Sequence, residues 1–380
     1  MDEKALLYTN LLSTLGVSVV CLAAGLCTIF LSSQEPEISV RYNHELTKIV
    51  MWAFLMIGAG IKYGITMPYL MGWVQWTLPG SIQHLSSLVS SGIILMIILI
   101  SRGEKQYHWF LYPLVCSEII SGLVTLSKLD VLLTMVGVIL ATYLCKPRLK
   151  LLIGAALGLV LLYVFILSPF VLFARLVIGS NYARETEELG TAISEYRHAN
   201  RNDIAIVDSE VQGWWTRLSY ANVQAFAMDS YDHGAGGQTF ALLPYVLVPR
   251  VLYPDKPFMT SGKEFTQLLI GYEDESHTGL GFFGEAYWNG GWLMVMLACF
   301  YVGLLFSIFG YVSMRLILSE QYVYLPVIMI GVFTGMRPDD WFVPTVFGGI
   351  IEAICLFIGL KIVVLFLTAL STPCRKAPAV

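Results

Sequence analysis

The stretch LLIGAALGLVLLYVFILSPFVLF, Leu151 to Phe173, runs for 23 residues without a charge. As an α-helix it would be about 35 Å long, enough for a hydrocarbon core about 30 Å thick. Lys146, Arg148 and Lys150 stand just before it, and a long polar segment follows. Cations held at one end of an apolar helix place that end in the cytoplasm. The whole chain shares this character: 56% of its 380 residues are hydrophobic and only 13% are charged, where a soluble domain carries about 25%.

The expected fold is therefore an all-α polytopic integral membrane protein. Spans are expected at residues 11–31, 49–66, 85–100, 108–125, 130–145, 151–173, 291–312, 322–336 and 344–370, which makes about nine to ten transmembrane helices. Six of them fall in an N-terminal part, 1–175, and three in a C-terminal part, 291–380. Between them, 176–290 forms one large outward-facing (periplasmic) helical loop. No basic n-region or small-residue cleavage site accompanies the first run, which reads as a retained helix. The cysteines show no spacing of a disulfide framework or metal site. With a net charge of -4, no basic surface suits nucleic acid.

Orientation follows from the short connections. One set carries Arg41, Lys48, Arg102, Lys105, Lys146, Arg148, Lys150, Arg315, Arg375 and Lys376; the opposite set carries only Lys4, Lys128 and Arg337. That imbalance predicts a cytoplasmic C-terminus and an outward long loop. A loop of that length with no function would be unusual. Within it, ETEELGTAISEYRHAN (185–200) and WWTRLSYANVQAFAM (214–228) read as amphipathic helices. TFALLPYVLVPRVL (239–252) is too short and too broken by proline to span, and reads as interfacial or re-entrant.

Three stretches carry candidate chemistry. In LVPRVLYPDKPF (247–258), prolines stiffen a backbone bearing Arg250 and Lys256, whose charges suit phosphate oxygens; the same cations equally suit snorkelling to headgroups. In SHTGLGFFGEAYWNGGW (276–292), Glu285 precedes a span. At a water-filled mouth it could act as a general base, or it is a charge favoured by the helix N-terminus. In MRPDDWF (336–342), Arg337, Asp339 and Asp340 share one outward turn, which reads as a site or as a Pro-Asp turn with an aromatic anchor. Arg217 lies on the tryptophan-rich segment. DSYDH (229–233) offers possible metal ligands but reads as a solvated loop. Lys62, Glu118, Glu352 and Lys361 are the sparse charges inside spans. The two acids are expected to face the bundle interior.

LLPYVLVPRVLYPDKP followed by GLGFFGEAYWNGGW resembles the Wzy-type oligosaccharide repeat-unit polymerases of O-antigen and exopolysaccharide synthesis, over roughly the last 170 residues. The resemblance implies a glycosyltransferase of the bacterial inner membrane whose substrates are polyprenyl-diphosphate-linked oligosaccharides, donor and acceptor, with a possible chain-length-regulating co-polymerase as partner. A sugar hydroxyl attacks the donor's anomeric carbon, the lipid diphosphate leaves, and the configuration inverts. Arg217, Arg250, Lys256 and Arg337 would bind the diphosphate without a metal or cofactor. Glu285 would accept the proton, with His277 in reserve, and Trp215, Tyr253, Tyr287 and Trp288 would stack on sugars. Two other readings are a ligase-like transferase that moves the glycan to a lipid A core and a flippase for the same lipids. A flippase would be expected to show internal repeats and mid-membrane polar residues.

Overall fold

A computed structural model describes residues 3–32, 42–71, 73–74, 85–178, 186–199, 220–248, 253, 261–271 and 278–371. Every regular element among them is helical. In chain order the principal helices are α1 (Glu3–Ser32), α2 (His44–Leu70), α3 (Leu88–Ser101), α4 (His108–Val124), α5 (Lys128–Cys145), α6 (Leu149–Arg175), α7 (Thr186–His198), α8 (Ala221–Asp232), α9 (Leu243–Leu247), α10 (Ser261–Ile270), α11 (Gly281–Leu318), α12 (Tyr322–Gly335) and α13 (Val343–Phe366). Six of them, α1, α2, α5, α6, α11 and α13, are long and apolar enough to cross a membrane.

The expected spans at 85–100, 108–125 and 322–336 correspond to shorter helices. At 14 residues α3 is about 21 Å long, short of a hydrocarbon core. Leu88, Val89 and every residue from Ser91 to Leu99 are buried, as expected of a helix apolar on all sides that forms a core instead of facing lipid. In α4, 17 residues long, Pro113 interrupts the hydrogen-bond ladder.

The chain divides into two compact units. One is continuous, Asn43–Leu218; the other joins Met1–Tyr42 to Ser219–Val380. In the continuous unit, α2 opens on an Asn43 side chain that accepts from the Leu46 N–H at 3.1 Å, a standard cap for an orphan donor. It packs on α3 with backbones in close approach: a Cβ on Gly58 would lie 2.6 Å from the Val89 nitrogen. Both α2 and α6 widen by a π turn, at Lys62–Thr66 and Tyr163–Leu167, each just ahead of a proline, Pro68 and Pro169. A third π turn, Val343–Phe347, contains Pro344. Proline supplies no N–H, and the wider turn accommodates the missing bond.

The first π turn carries a polar knot. Lys62 Nζ donates to Glu118 Oε2 at 2.8 Å, and the Tyr63 hydroxyl donates to Glu118 Oε1 at 2.9 Å. The expectation that Glu118 faces inward holds, since it is 2% exposed. Elsewhere in this unit, Lys128 Nζ donates to Ser168 Oγ at 2.8 Å and Arg175 to the Leu126 carbonyl at 2.8 Å.

In the unit of the two chain ends, α1 lies along α11. The Thr28 and Ser307 hydroxyls meet at 2.8 Å, and Phe283 covers Gly16 so closely that a Cβ there would be 2.6 Å from its ring. Leu12, Val295, Cys299, Val302, Phe342 and Val346 form the core between α1, α11 and α13.

Candidate functional site

Helix α11 is two helices in series. Gly290 (φ −170°, ψ 25°) and Gly291 (φ 61°, ψ −156°) break it, leaving a short arm that begins at Gly281 and a long arm that continues to Leu318. The conformation of Gly291 is open only to glycine. Tyr231 also fills the place of a side chain there, its ring carbon 2.9 Å from a would-be Cβ. The short arm therefore points independently of the span, and it carries Glu285, Tyr287, Trp288 and Asn289.

Two other segments dock on this arm. The first is the glycine-rich turn before α9. The Gly237 N–H donates to the Trp288 carbonyl at 2.8 Å, and the Trp288 indole N–H donates to the Ala235 carbonyl at 3.1 Å. A Cβ on Gly237 would sit 2.4 Å from the Trp288 ring. Asn289 completes the seam: its amide N–H donates to Thr239 Oγ1 at 2.7 Å and to the Glu285 carbonyl at 2.8 Å, while its oxygen accepts from the Phe240 N–H at 3.1 Å. The second is the turn between α12 and α13. The Phe282 N–H donates to the Pro338 carbonyl at 3.0 Å, and a Cβ on Gly279 would lie 2.4 Å from the Asp339 carbonyl oxygen.

The Glu285 carboxylate joins all three. Thr239 Oγ1 donates to Oε1 at 2.5 Å, and the Phe342 N–H donates to Oε2. The side chain is fully enclosed, at 0% exposure. A buried carboxylate with acceptors on both oxygens used is held firmly. Glu285 does not face a mouth, as the sequence suggested; it ties the α9 turn and the Arg337 turn to the short arm.

Arg337 lies at the surface of this assembly. Its side chain is 40% exposed, and its nearest carboxylate oxygen, on Asp340, is 3.9 Å away, too far for a bidentate pair. Asp339 beside it accepts from the Tyr220 hydroxyl at 3.2 Å. The arrangement offers an open guanidinium flanked by two carboxylates on a turn whose backbone is clamped from below. Its guanidinium geometry suits an anionic group at the protein surface.

The aromatic expectations divide. Tyr287 and Trp288 are buried, at 4% and 8% exposure. The Tyr287 hydroxyl donates to Asp232 Oδ1 at 3.1 Å, and the Trp288 ring meets Phe265 edge-on at 5.1 Å. Both build the core and present no free face to a sugar. Tyr253 is 40% exposed and stacks on Tyr245 at 6.3 Å, which leaves it open to a ligand. Arg217, Arg250, Lys256, His277 and Trp215 lie outside the described residues. At DSYDH, His233 Nδ1 lies 2.8 Å from the Asp229 carbonyl of its own helix, and both side chains are exposed.

Thr239, Asn289 and the Phe342 N–H were missed by the sequence reading. Asn289 had a signal: it stands between Trp288 and Gly290 in the motif already singled out. Thr239 and Phe342 also lie in stretches singled out by sequence, 239–252 and 336–342, but at 46 and 57 residues from Glu285 nothing in the sequence paired them with it. Comparison with protein-family models, curated proteins and solved structures finds no match.

Proposed function

We propose that the protein is a membrane glycosyltransferase that extends polyprenyl-diphosphate-linked oligosaccharides at the outer face of the bacterial inner membrane. In this reading about nine spans cross the bilayer, the long loop is periplasmic and the C-terminus is cytoplasmic. One observation carries it. The stretches GLGFFGEAYWNGGW and MRPDDWF, both singled out by sequence, dock on each other through Glu285 and leave Arg337 half-exposed at the protein surface.

The chemistry asks for positive charge where the leaving diphosphate gathers negative charge, an effect worth about 3 kcal/mol for one well-placed donor. Arg337 supplies one such donor, and Arg217, Arg250 and Lys256 are proposed to join it. The acceptor hydroxyl attacks the anomeric carbon, the C–O bond to the diphosphate breaks, and the hydroxyl proton passes to a carboxylate. Glu285 is enclosed, so Asp339 and Asp340, open beside Arg337, are the better acceptors. Glu285 then acts by positioning the turn that carries them.

The test is elongation of lipid-linked repeat units by purified protein in EDTA. Products longer than one repeat are expected, and Arg337→Ala should lower the rate by about 10²–10³ while the protein stays in the membrane. Wild-type protein that joins no repeat units, with or without added magnesium, overturns the proposal.

A further inference from the structure

The Lys62–Glu118 pair belongs to the continuous unit, and the glycosyl-transfer chemistry does not use it. Its presence asks for a reason other than stability, because taking two charges out of water is costly and apolar residues of similar volume often serve as well or better. Ionisable side chains inside a membrane-spanning helix such as α2 point to function by default. Lys62 and Tyr63 also open a π turn, a feature concentrated at functional sites.

The hydroxyls beside the pair allow two arrangements of their protons. Tyr63 Oη lies 2.9 Å from Glu118 Oε1 and 2.8 Å from Ser117 Oγ, and Ser117 Oγ lies 2.8 Å from the Leu114 carbonyl. Each hydroxyl has one proton and two such neighbours. With Glu118 ionised, Ser117 donates to Tyr63 and Tyr63 donates to Oε1, while Lys62 donates to Oε2. With a proton on Oε1 the bonds turn round: Glu118 donates to Tyr63, Tyr63 to Ser117, and Ser117 to the Leu114 carbonyl. Both arrangements use the same contacts and strand no O–H. They differ by one proton.

The surroundings fit such a site. A proton on Glu118 deprives the Lys62 ammonium of its anion. Thr66, four residues on and so on the same side of the helix, offers it another acceptor, a buried hydroxyl with no hydrogen-bond partner among the described residues. Lys62 and Tyr63 are the charged and titratable groups that face Glu118 from α2. Of the helices packed on α4, α3 contains none, and α5 carries its own only at its ends, Lys128 and Asp130 and then Tyr143 and Cys145. On α4 itself Cys116 is exposed, and His108 and Tyr112 stack on each other nearer its start. Tyr63 is 37% exposed and stands about 10 Å from the Leu70 end of α2, which brings its hydroxyl close to interfacial water.

We propose that Glu118 is a reversible proton-binding site of the continuous unit, filled through Tyr63. Tyr63 passes its proton to Oε1 and takes another from hydronium at the interface, so one O–H bond forms on Glu118 and one breaks in hydronium. Filling the site exchanges the ion pair between α2 and α4 for neutral bonds and releases Lys62 toward Thr66. The site is independent of the glycosyl-transfer reading.

The experiment records infrared difference spectra of the full chain in phosphatidylcholine nanodiscs as pH is lowered from about 8 to 5. A carboxylic-acid C=O band is expected to appear, to reverse on return to the starting pH and to be missing in Glu118→Gln. Ser117→Ala does not touch the carboxyl, but it leaves the Tyr63 proton without an acceptor in the filled arrangement alone. It should lower the band about tenfold at a given pH, equivalent to ~1.4 kcal/mol, and Ser117→Thr, which keeps the hydroxyl, should restore it. These two variants keep the test decisive even if Glu118→Gln folds poorly. A static ion pair predicts no such band in folded protein. Its absence, or a band of equal size in Ser117→Ala, overturns the proposal. None of these spectra requires elongation of repeat units, so the site stands or falls by itself.

Discussion

Glu285 and Gly291 act on the same short arm through different physics. Alanine at Gly291 must adopt a backbone conformation that is essentially glycine's alone, a cost of about 1–3 kcal/mol, and its methyl would press on Tyr231. Gly291→Ala should lower the thermal midpoint of the detergent-purified protein by several degrees, whereas Gly310→Ala, whose Cβ meets nothing within 4 Å, should not. At Glu285 the loss is of acceptors. Glu285→Ala strands the Thr239 hydroxyl and the Phe342 N–H, at about 1–3 kcal/mol each, while Glu285→Gln keeps one acceptor oxygen and should lose less. A positioning role predicts that stability and elongation fall together across Gln and Ala. A catalytic base predicts instead that Gln abolishes elongation with the midpoint unchanged. The sequence marked Glu285 because a carboxylate near an apolar run is conspicuous. It could not show the enclosure, because both donors arrive from distant segments brought in by tertiary packing.

Hydropathy identified the long helices because composition and length suffice for them, and the shorter apolar helices α3 and α12 carry the same signal without the length. A short apolar run looks alike whether lipid or protein surrounds it, and only the burial of α3 separates the cases. The π turn in α2 was not legible at all, although Lys62 and Glu118 were noted singly. Their pairing makes a sharp prediction. Lys62→Met leaves a buried carboxylate without its cation and should cost about 3–5 kcal/mol, whereas adding Glu118→Leu removes the stranded charge and should restore most of the loss. Thermal unfolding of the single and double variants checks this, and a double variant no better than the single would refute the pairing argument. Nearer the surface, Lys48 and His44 both bond Glu104 Oε1, at 2.7 and 2.9 Å. The Lys48 hydrogen bond first, then that of His44, holds the Glu104 carboxyl below its usual range. A depressed carboxylate pKa contributes stability that is complete above the unfolded value, about 4.3, and that disappears as pH falls through the folded value. Hydrogen exchange at residues 42–50 and 101–108, corrected for intrinsic rate, should therefore rise on acidification below about pH 4, and Glu104→Gln should flatten that response.

The division of the chain was the least legible feature, since nothing in residues 3–32 announces that they pack with a segment beginning near residue 220. Such long-range pairing is decided by shape, as where Phe283 covers Gly16, and shape is not written in hydropathy. The sidedness of the proposed site turns on α12. If only the six long helices cross, α11 and α13 are successive spans; the connection between them then stays on one side, and Arg337 shares that side with Arg315. If α12 crosses too, Arg337 moves to the opposite side from Arg315. The second arrangement satisfies the retention of cations in the cytoplasm. It has a physical consequence, because α12 is an 11-residue α-helix with a three-residue lead-in turn, about 20 Å long in all. A segment that short spans a core about 30 Å thick only where the bilayer thins around it, so crossing by α12 brings the Arg337 turn to the far surface only with local thinning. In a background stripped of native cysteines, Asp339→Cys should react with a membrane-impermeant maleimide added to spheroplasts, while Pro147→Cys should react only after the membrane is opened. Labelling of Pro147→Cys alone from outside would invert the orientation, and equal protection of both positions would show that α12 does not cross, placing Arg337 where no periplasmic glycan can reach it.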